Sequence, residues 1–349
     1  MKLTLAVSAL LAAAASAQNI VEVAVSLPET FSTLVDLVVQ AELDEALATT
    51  QDITVFAPVN DAFGALPAEV VANLQTDEWK LHLQDTLLYH VVPAVVPAAA
   101  VTDGLVATTL NGENVTFTTT DGVEINGASA VIQADVEADN GLIHVVDGVL
   151  LPSWVSNSIA DRAIATESLS TLVSLVVQAQ LVDTLSTGGP FTVFAPTNQA
   201  FSEAIVALTG REVGEVELDT DLVSTLLTYH VVPGIYPASA ISDGLELETV
   251  QGEMITFGLS DAGATVNGEG IVATDILANN GIVHVIDGVL VPMAAAPVPT
   301  PTDSMPEPAP VPSPTDMMMD PTMEPTSASA GVKVMAGLVS AAALAVLGM

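Results

Sequence analysis

The chain of 349 residues carries 42 acidic side chains against five Lys and Arg, which gives a formal net charge of −37. Because nucleic acids and anionic lipid surfaces are bound through Lys and Arg, this balance argues against both kinds of partner. Half of the residues are hydrophobic and Cys is absent, so we predict globular domains whose cores fold without disulfides.

Residues 1–17 have the pattern of a secretory signal peptide. Lys2 precedes an apolar run over residues 3–15, and Ala15-Ser16-Ala17 places small residues at the exit. The run is too short to span a bilayer as a helix. We therefore predict that residues 1–17 direct secretion and that the protein is extracellular.

Three sequence boxes occur twice, in the same order. ITVFAPVNDAF (53–63) returns as FTVFAPTNQAF (191–201), LLYHVVP (87–93) as LTYHVVP (227–233), and NGLIHVVDGVL (140–150) as NGIVHVIDGVL (280–290). Such a repetition indicates a tandem duplication. It predicts a first domain over residues 18–152, a linker over 153–160 and a second domain over 161–292.

In each repeat the first box follows a predicted amphipathic helix. STLVDLVVQAEL (32–43) and STLVSLVVQAQL (170–181) place their apolar residues mostly on one helical face, and Thr30 and Ser168 are expected as N-caps. The box itself indicates a buried strand that ends at a proline, because β-formers run into a residue that cannot continue a sheet. Core phenylalanines, strand-ending prolines and asparagines that cap the next helix are predicted at Phe56, Pro58, Asn60, Phe194, Pro196 and Asn198.

The second half of each repeat favours hairpins. After a second helical region over about residues 69–89, short alternating runs are separated by Asn-Gly and Asp-Gly pairs, which tight hairpins favour because these residues tolerate positive φ. Helices first and hairpin-linked strands second predict an α+β domain in each repeat. The pairs of the first repeat are Asn111-Gly112, Asp121-Gly122, Asn126-Gly127 and Asn140-Gly141.

The three boxes closely resemble those of the fasciclin (FAS1) family of extracellular adhesion domains. TVFAP-x-N-x-AF is similar to the first signature box of that family, YHVVP to its central Tyr-His motif, and NG-x-x-HV-x-DGVL to its second signature box. The resemblance implies two tandem FAS1 domains, each a wedge-shaped antiparallel β-sandwich with packed helices. It also implies a protein that works by binding and carries no catalytic motif.

Four of the five histidines lie in the repeated boxes, at positions 90, 144, 230 and 284. A catalytic site would need a nucleophile beside a base, and a metal site would need clustered ligands; the spacing supplies neither. Residues three apart on a strand face opposite ways, so His144 and Asp147 should not form one site, nor should His284 and Asp287. We therefore predict no cofactor, no metal and no enzymatic activity, with buried histidines hydrogen-bonded to the main chain.

Other residues are candidates for interaction or modification. Some animal fasciclin-like domains have an Asp-Ile element that resembles an integrin-contact motif; Asp275-Ile276 matches it, whereas Val136 departs from it in the first repeat. The acidic segment 215–221 lacks the spacing of a calcium loop, so we interpret it as a solvated surface. Asn114 heads the N-glycosylation sequon NVT. Further candidate interaction residues are those of the Tyr-His motif, Tyr89, His90, Tyr229 and His230.

The composition changes after the second repeat. Residues 293–326 are rich in Pro, Thr and Ser, which predicts an extended, disordered stalk. Residues 327–349 begin with small residues and end in a short, Ala- and Gly-rich apolar tail, the pattern of a GPI-attachment signal rather than of a spanning helix. The candidate attachment residues are Ser327, Ala328 and Ser329.

Two hypotheses of function follow. The first is a GPI-anchored surface protein for adhesion or matrix organisation, whose partners are extracellular proteins or glycans, including a second copy of the chain. The alternative is a secreted carrier of an apolar small molecule such as a carotenoid, since some acidic fasciclin-like proteins of algae bind carotenoids. The absorbance of the purified protein separates the two, because a bound pigment absorbs visible light.

Overall fold

The computed structural model of the chain describes residues 18–120, 122–209, 219–261 and 263–292. The predicted signal peptide, stalk and GPI-attachment signal, with Ser327, Ala328 and Ser329, lie outside these residues. So do Asp121 of one predicted hairpin turn and residues 215–218 of the acidic segment.

In each repeat, helices precede most of the sheet. The first domain has the helices α1 (Ile20–Val25), α2 (Pro28–Gln40), α3 (Asp44–Thr49), α4 (Asn60–Phe63), α5 (Ala68–Leu74) and α6 (Lys80–Tyr89). The second has α7 (Ile159–Ala165), α8 (Ser170–Gln178), α9 (Val182–Thr187), α10 (Asn198–Thr209) and α11 (Thr220–Tyr229). The predicted helical region over 69–89 is therefore present as α5 and α6, joined by a 3-10 turn at Asp77–Trp79.

Each domain contains one seven-stranded sheet. The strands of the first are β1 (Ile53–Pro58), β2 (Val91–Val92), β3 (Val106–Thr108), β4 (Asn114–Thr118), β5 (Glu124–Ile125), β6 (Ser129–Ala138) and β7 (Gly141–Val146), in the order β2-β1-β7-β6-β5-β4-β3. Those of the second are β8 (Phe191–Pro196), β9 (Val231–Pro233), β10 (Glu246–Glu248), β11 (Met254–Ser260), β12 (Gly263–Val266), β13 (Glu269–Ala278) and β14 (Gly281–Ile286), in the equivalent order. The prediction of an α+β fold is confirmed.

The sheet is not antiparallel throughout. In each domain the first and last strands, β1 with β7 and β8 with β14, pair in parallel, and the other pairs are antiparallel. A parallel pair needs a long connection, and the helices and the hairpins between the two boxes supply it. The expectation of an antiparallel sheet is therefore wrong for this one pair in each domain, which joins the first and third sequence boxes.

The two faces of strand β1 belong to two different cores. Val55 and Ile53 pack with the helices, whereas Phe56 lies against Phe117 of β4, with 5.7 Å between the ring centroids. All six residues of β1 are consequently buried. The equivalent Phe194 lies 5.4 Å from the ring of Phe257. The predicted buried strand is thus present in both domains because it is covered on both sides.

Asn60 and Asn198 do not cap the helices that they begin. Asn60 Oδ1 accepts a hydrogen bond of 3.0 Å from the N–H of Thr33 in helix α2, and its Nδ2 donates to the carbonyl of Glu29. Asn198 accepts in the same way from Thr171 N–H, at 2.8 Å. The prediction of local capping was wrong because α2 and α8 pack beside the end of the first strand of their domains, and main-chain groups of these helices bond to the asparagine side chains instead.

The predicted N-caps Thr30 and Ser168 are also wrong. Helix α2 begins with Pro28 after Leu27, and a 3-10 turn at Glu167–Leu169 precedes α8. Proline suits the first helical position because its missing N–H would be unsatisfied there anyway. The structure therefore places Thr30 inside the helix and Ser168 inside the turn.

Ordered structure fills the predicted linker 153–160. A 3-10 helix spans Ser153–Ser156, and Ser158 caps α7 in a reciprocal pair with Asp161. Trp154 in this segment is 3% exposed. The segment is therefore part of the packed structure rather than a free tether.

Candidate functional site

The tyrosines of the two Tyr-His motifs lie in the core, each 4% exposed. The hydroxyl of Tyr89 donates to the carbonyl of Asn114 at 3.1 Å and accepts from Asn126 Nδ2 at 2.8 Å. Tyr229 makes the same pair of bonds with Met254 and Asn267. These hydroxyls hold the end of the helix against the hairpins, so a direct contact with a partner would require the domain to open.

The histidines of these motifs are buried and fully bonded to the main chain. His90 Nδ1 donates to the carbonyl of Thr86 at 2.7 Å, and its Nε2 accepts from the N–H of Leu150 at 2.9 Å. His230 makes the equivalent bonds to Leu226 and Leu290, at 2.8 and 2.9 Å. Because one ring nitrogen must donate and the other accept, both rings are neutral, and burial lowers the pKa of each to about 4.

The histidines of the last box support the bend of strands β6 and β13. His144 Nε2 donates to the carbonyl of Val96 at 2.8 Å, its Nδ1 accepts from the N–H of Asp135 at 3.2 Å, and its ring stacks on Phe56. His284 repeats this arrangement with Tyr236, Asp275 and Phe194. Asp135 and Asp275 have φ values of 55° and 59° at irregular positions of these strands.

The carboxylates near these histidines are bonded elsewhere. Asp147 Oδ1 accepts from the N–H of Ala130 at 2.7 Å, and Asp287 Oδ1 accepts from Gly270 N–H at the same distance. The rings of His144 and His284 bond instead to Val96 and Asp135 and to Tyr236 and Asp275, in line with the expectation that these pairs do not form one site. Asp275 Oδ1 accepts from the N–H of Ala238 at 2.9 Å, and Ile276 packs against the core of the second domain.

Asn140 and Asn280 have a role that the sequence did not indicate. The side chain of Asn140 accepts from the N–H of Ile20 at 2.9 Å and donates to the carbonyls of Leu47 and Thr50, both at 2.8 Å. One amide thereby joins the start of α1 and the end of α3 to strand β7. The Asn-Gly pair by itself predicts a turn, and its repetition is the one feature of the sequence that points to a further role.

The two domains meet around His82, which the sequence analysis did not single out. His82 is 0% exposed, and its Nε2 donates to two carbonyls of the second domain, Ala278 at 3.1 Å and Gly281 at 3.3 Å. Its ring lies between Trp79 and Trp154, with centroid distances of 4.5 and 4.7 Å. Both tryptophans of the chain are therefore used in this one contact.

Apolar and charged side chains extend the contact. Ile235 and Ile282 of the second domain belong to the apolar core of the first. The carboxylate of Glu78 in the first domain accepts from the N–H of Ile235 in the second at 3.2 Å. The second repeat carries Asp219 and Leu222 where the first carries Trp79 and His82. The contact thus depends on residues that the duplication did not keep.

The predicted glycosylation residue Asn114 is exposed at the start of β4, with its Oδ1 accepting from the hydroxyl of Thr108 at 2.8 Å. Within the described ranges no group of three or more His, Cys, Asp or Glu is arranged to hold a metal ion. In the same part of the chain, none of the helices has both the length and the apolar character that a membrane crossing needs.

A family model described as "Fasciclin domain" matches residues 29–152 and again residues 167–292. The chain belongs to the fasciclin family. The predicted resemblance of the boxes, and the two tandem domains that it implied, are confirmed. The fasciclin boxes correspond to strands β1, β7, β8 and β14 and to the buried Tyr-His motifs described above.

Three relatives of this chain come from different organisms. Transforming growth factor-beta-induced protein ig-h3 of Sus scrofa is 32% identical over 245 residues, which cover 69% of this chain and 35% of that protein. Protein sll1483 of Synechocystis is 54% identical over 142 residues, 40% of this chain and 77% of its own length. Cell surface glycolipoprotein MPB83 of Mycobacterium bovis is 38% identical over 141 residues, 39% of this chain and 61% of that protein. The chain thus spans about a third of the length of ig-h3.

We expect the fold to lose stability as the pH falls from about 6.5 to about 4. Burial lowers the pKa of His82, His90 and His230 from 6.5 to about 4, so in this window the unfolded chain binds protons that the folded chain does not. The pKa difference of each histidine between the unfolded and the folded chain corresponds to about 3 kcal/mol in the free energy of unfolding. Burial also raises the pKa of Asp85 to about 6; its protonation favours the folded state as the pH falls and offsets part of the loss.

Urea unfolding at pH 7.0, 5.5 and 4.5 measures this loss. NMR titration of the imidazole signals gives the individual pKa values. Rings of His90 and His230 that titrate near pH 6.5 in the folded protein would contradict the neutral, bonded state.

Proposed function

We propose that the protein is an extracellular adhesion or matrix protein that works by binding and not by catalysis. Membership of the fasciclin family supports this, and a relative named as a cell surface glycolipoprotein supports a place at the cell surface. Its partners would be extracellular proteins or glycans, including further copies of the chain. The surface charge favours neutral or basic partners, because the net charge is −37.

One observation carries the proposal: the Tyr and His side chains of the repeated boxes stabilise the interior of each domain. Tyr89, His90, His144 and their counterparts in the second domain bond to the main chain inside each domain. Recognition would then use the exposed faces of the domain pair, with the contact around His82 holding the two domains together. The pair Asp275-Ile276 remains a proposed recognition element, although its carboxylate already accepts from Ala238.

We propose that the two domains reach the surface on a proline-rich stalk and a GPI lipid, attached at Ser327, Ala328 or Ser329. The sequence pattern after residue 292 supports this, with Asn114 as a glycosylated residue of the mature protein. Phosphatidylinositol-specific phospholipase C should then release the protein from intact cells. Protein that resists the lipase and still contains the peptide 338–349 would be anchored by a spanning helix instead.

Bead aggregation tests the adhesive function. Beads that carry the secreted protein should aggregate with one another or bind beads coated with extracellular matrix, whereas albumin-coated beads should do neither. Salt identifies the class of partner, since the Debye length falls from ~30 Å at 0.01 M to ~8 Å at 0.15 M ionic strength. Homophilic aggregation should strengthen with salt because like charges are screened, and binding to a basic partner should weaken. Beads that remain dispersed in every arm would overturn the proposal.

The alternative function, a carrier of a carotenoid, finds no support in the relatives described above. Visible absorbance of the purified native protein tests it directly. A colourless protein would leave the adhesive function standing.

A further inference from the structure

Each domain contains an apolar cavity at the equivalent position, between its first three helices and its first strand. The cavity of the first domain has a volume of 190 Å³ and that of the second a volume of 120 Å³. Most residues of the first wall have a counterpart in the second. The matching pairs include Leu34 with Leu172, Val38 with Val176, and Leu47 with Leu185.

Both cavities open to the surface through exposed aliphatic side chains. Val25 and Val39 line the first and are 55% and 56% exposed, and Ile164 and Val177 line the second and are 64% and 58% exposed. Among the large hydrophobic residues of the described ranges, these are four of the five most exposed. Exposing such side chains in equivalent places in both domains is costly unless a ligand covers them.

The histidine in each wall offers no free hydrogen-bonding group to a ligand. His90 and His230 form part of the two walls, but both nitrogens of each ring are already bonded to the main chain. Apolar cavities of about 150 Å³ stay dry and accept a small apolar guest such as benzene. The volumes here suit the end of a hydrocarbon chain, and they are too small for a whole carotenoid.

The charge of the protein limits which head group the ligand can carry. Neither cavity is lined by Lys or Arg, and Asp44 lies at the wall of the first. A carboxylate or phosphate head group outside the opening would therefore meet the field of an acidic protein without a cationic partner. A neutral or cationic head group would meet no such repulsion.

We propose that each domain binds the end of an alkyl chain of a neutral or cationic amphiphile in this cavity, with the head group outside. This proposal goes beyond the adhesive function and does not depend on it. Such a chain could belong to a free amphiphile or to a lipid of a membrane, and the chemistry of the cavity is the same for both.

Isothermal titration of the intact secreted protein with octyl glucoside, below its micellar concentration, tests the site. We expect two molecules bound per chain, and at least tenfold weaker binding of octanoate, which has an anionic head group. Sedimentation with phosphatidylcholine vesicles distinguishes the two sources of the chain. Binding of the protein to vesicles indicates a membrane lipid, and binding of monomeric octyl glucoside without binding to vesicles indicates a free amphiphile.

Matched variants assign the binding to the cavities. Ala24→Leu and Ala163→Leu add a side chain within the first and second cavities, so each should lower the stoichiometry from two to one and the double variant should abolish binding. If either fails to fold, Val39→Asp and Val177→Asp change only exposed positions at the openings and should weaken binding at least tenfold. Val272→Ala, at an exposed valine outside both cavities, should leave two sites.

Three results would overturn the proposal. They are no binding of octyl glucoside, a stoichiometry that the cavity variants leave unchanged, and octanoate binding as tight as octyl glucoside. Loss of bead adhesion in Val39→Asp and Val177→Asp without any amphiphile binding would also overturn it, because the openings would then accept side chains of a protein partner.

Discussion

Gly281→Ala should lower the stability of the second domain by about 3–5 kcal/mol, because it combines backbone strain with a steric overlap. Gly281 has a φ of +146°, and a Cβ there would lie 1.9 Å from the carbonyl oxygen of Phe191. The oxygen belongs to the parallel partner strand β8, so it cannot move away without breaking the pairing of the two boxes. Urea unfolding followed by circular dichroism measures the loss.

Gly252→Ala is the matched control. Gly252 also has a positive φ, +104°, but a Cβ there would meet no atom within 4 Å. We expect a cost of about 1–2 kcal/mol from the backbone alone. Equal losses of stability in the two variants would mean that the close approach of β8 and β14 contributes nothing to the effect of Gly281→Ala.

Phe194→Ala should cost about 3–5 kcal/mol, the usual range for a buried phenylalanine. Phe194 is 0% exposed, and its ring lies 5.4 Å from the rings of both Phe257 and His284. The substitution therefore leaves a cavity in the apolar core that Phe194 shares with Phe257. It also removes the ring on which His284 stacks, so the amide hydrogens of β13 near Asp275 should exchange faster.

Phe56→Ala makes the same change in the first domain, where Phe56 lies 5.7 Å from the rings of Phe117 and His144. Amide hydrogen exchange should become faster in the first domain for Phe56→Ala and in the second domain for Phe194→Ala, which assigns the loss of stability to one domain in each case. Val272→Ala, at a residue 59% exposed, should change the free energy of unfolding by no more than about 0.5 kcal/mol. An unfolding midpoint of Phe194→Ala equal to that of the unchanged protein would refute the assignment of Phe194 to the core.

The repeated boxes were enough to predict the duplication, the fasciclin family and the α+β domains. The reason is that these features depend on residues close together in the sequence. A run of β-formers that ends at Pro58 predicts a strand wherever it lies, and helical periodicity over residues 32–43 predicts a helix. The burial of Phe56 and Phe194 followed from the same local pattern.

Features that join distant segments could be found only in the tertiary structure. Asn60 bonds to Thr33 in helix α2, whereas the same side-chain chemistry, applied to neighbouring residues alone, predicts a local cap. The pair Asn140-Gly141 predicts a turn, but the structure adds a second requirement for glycine in both repeats: Gly141 closely approaches Ile53, and Gly281 closely approaches Phe191, in the neighbouring strand. In both cases the partner lies on another element, which no periodicity in the sequence identifies.

The contact between the domains is the clearest example. His82 bonds to the carbonyl of Ala278, 196 positions along the chain, and the second repeat has Leu222 in its place. The sequence by itself determined that two domains of one family follow each other, because repeated local patterns encode repeated local folds. Only the tertiary structure decided that His82 and the two tryptophans join them, because that contact depends on where two separately folded surfaces meet in space.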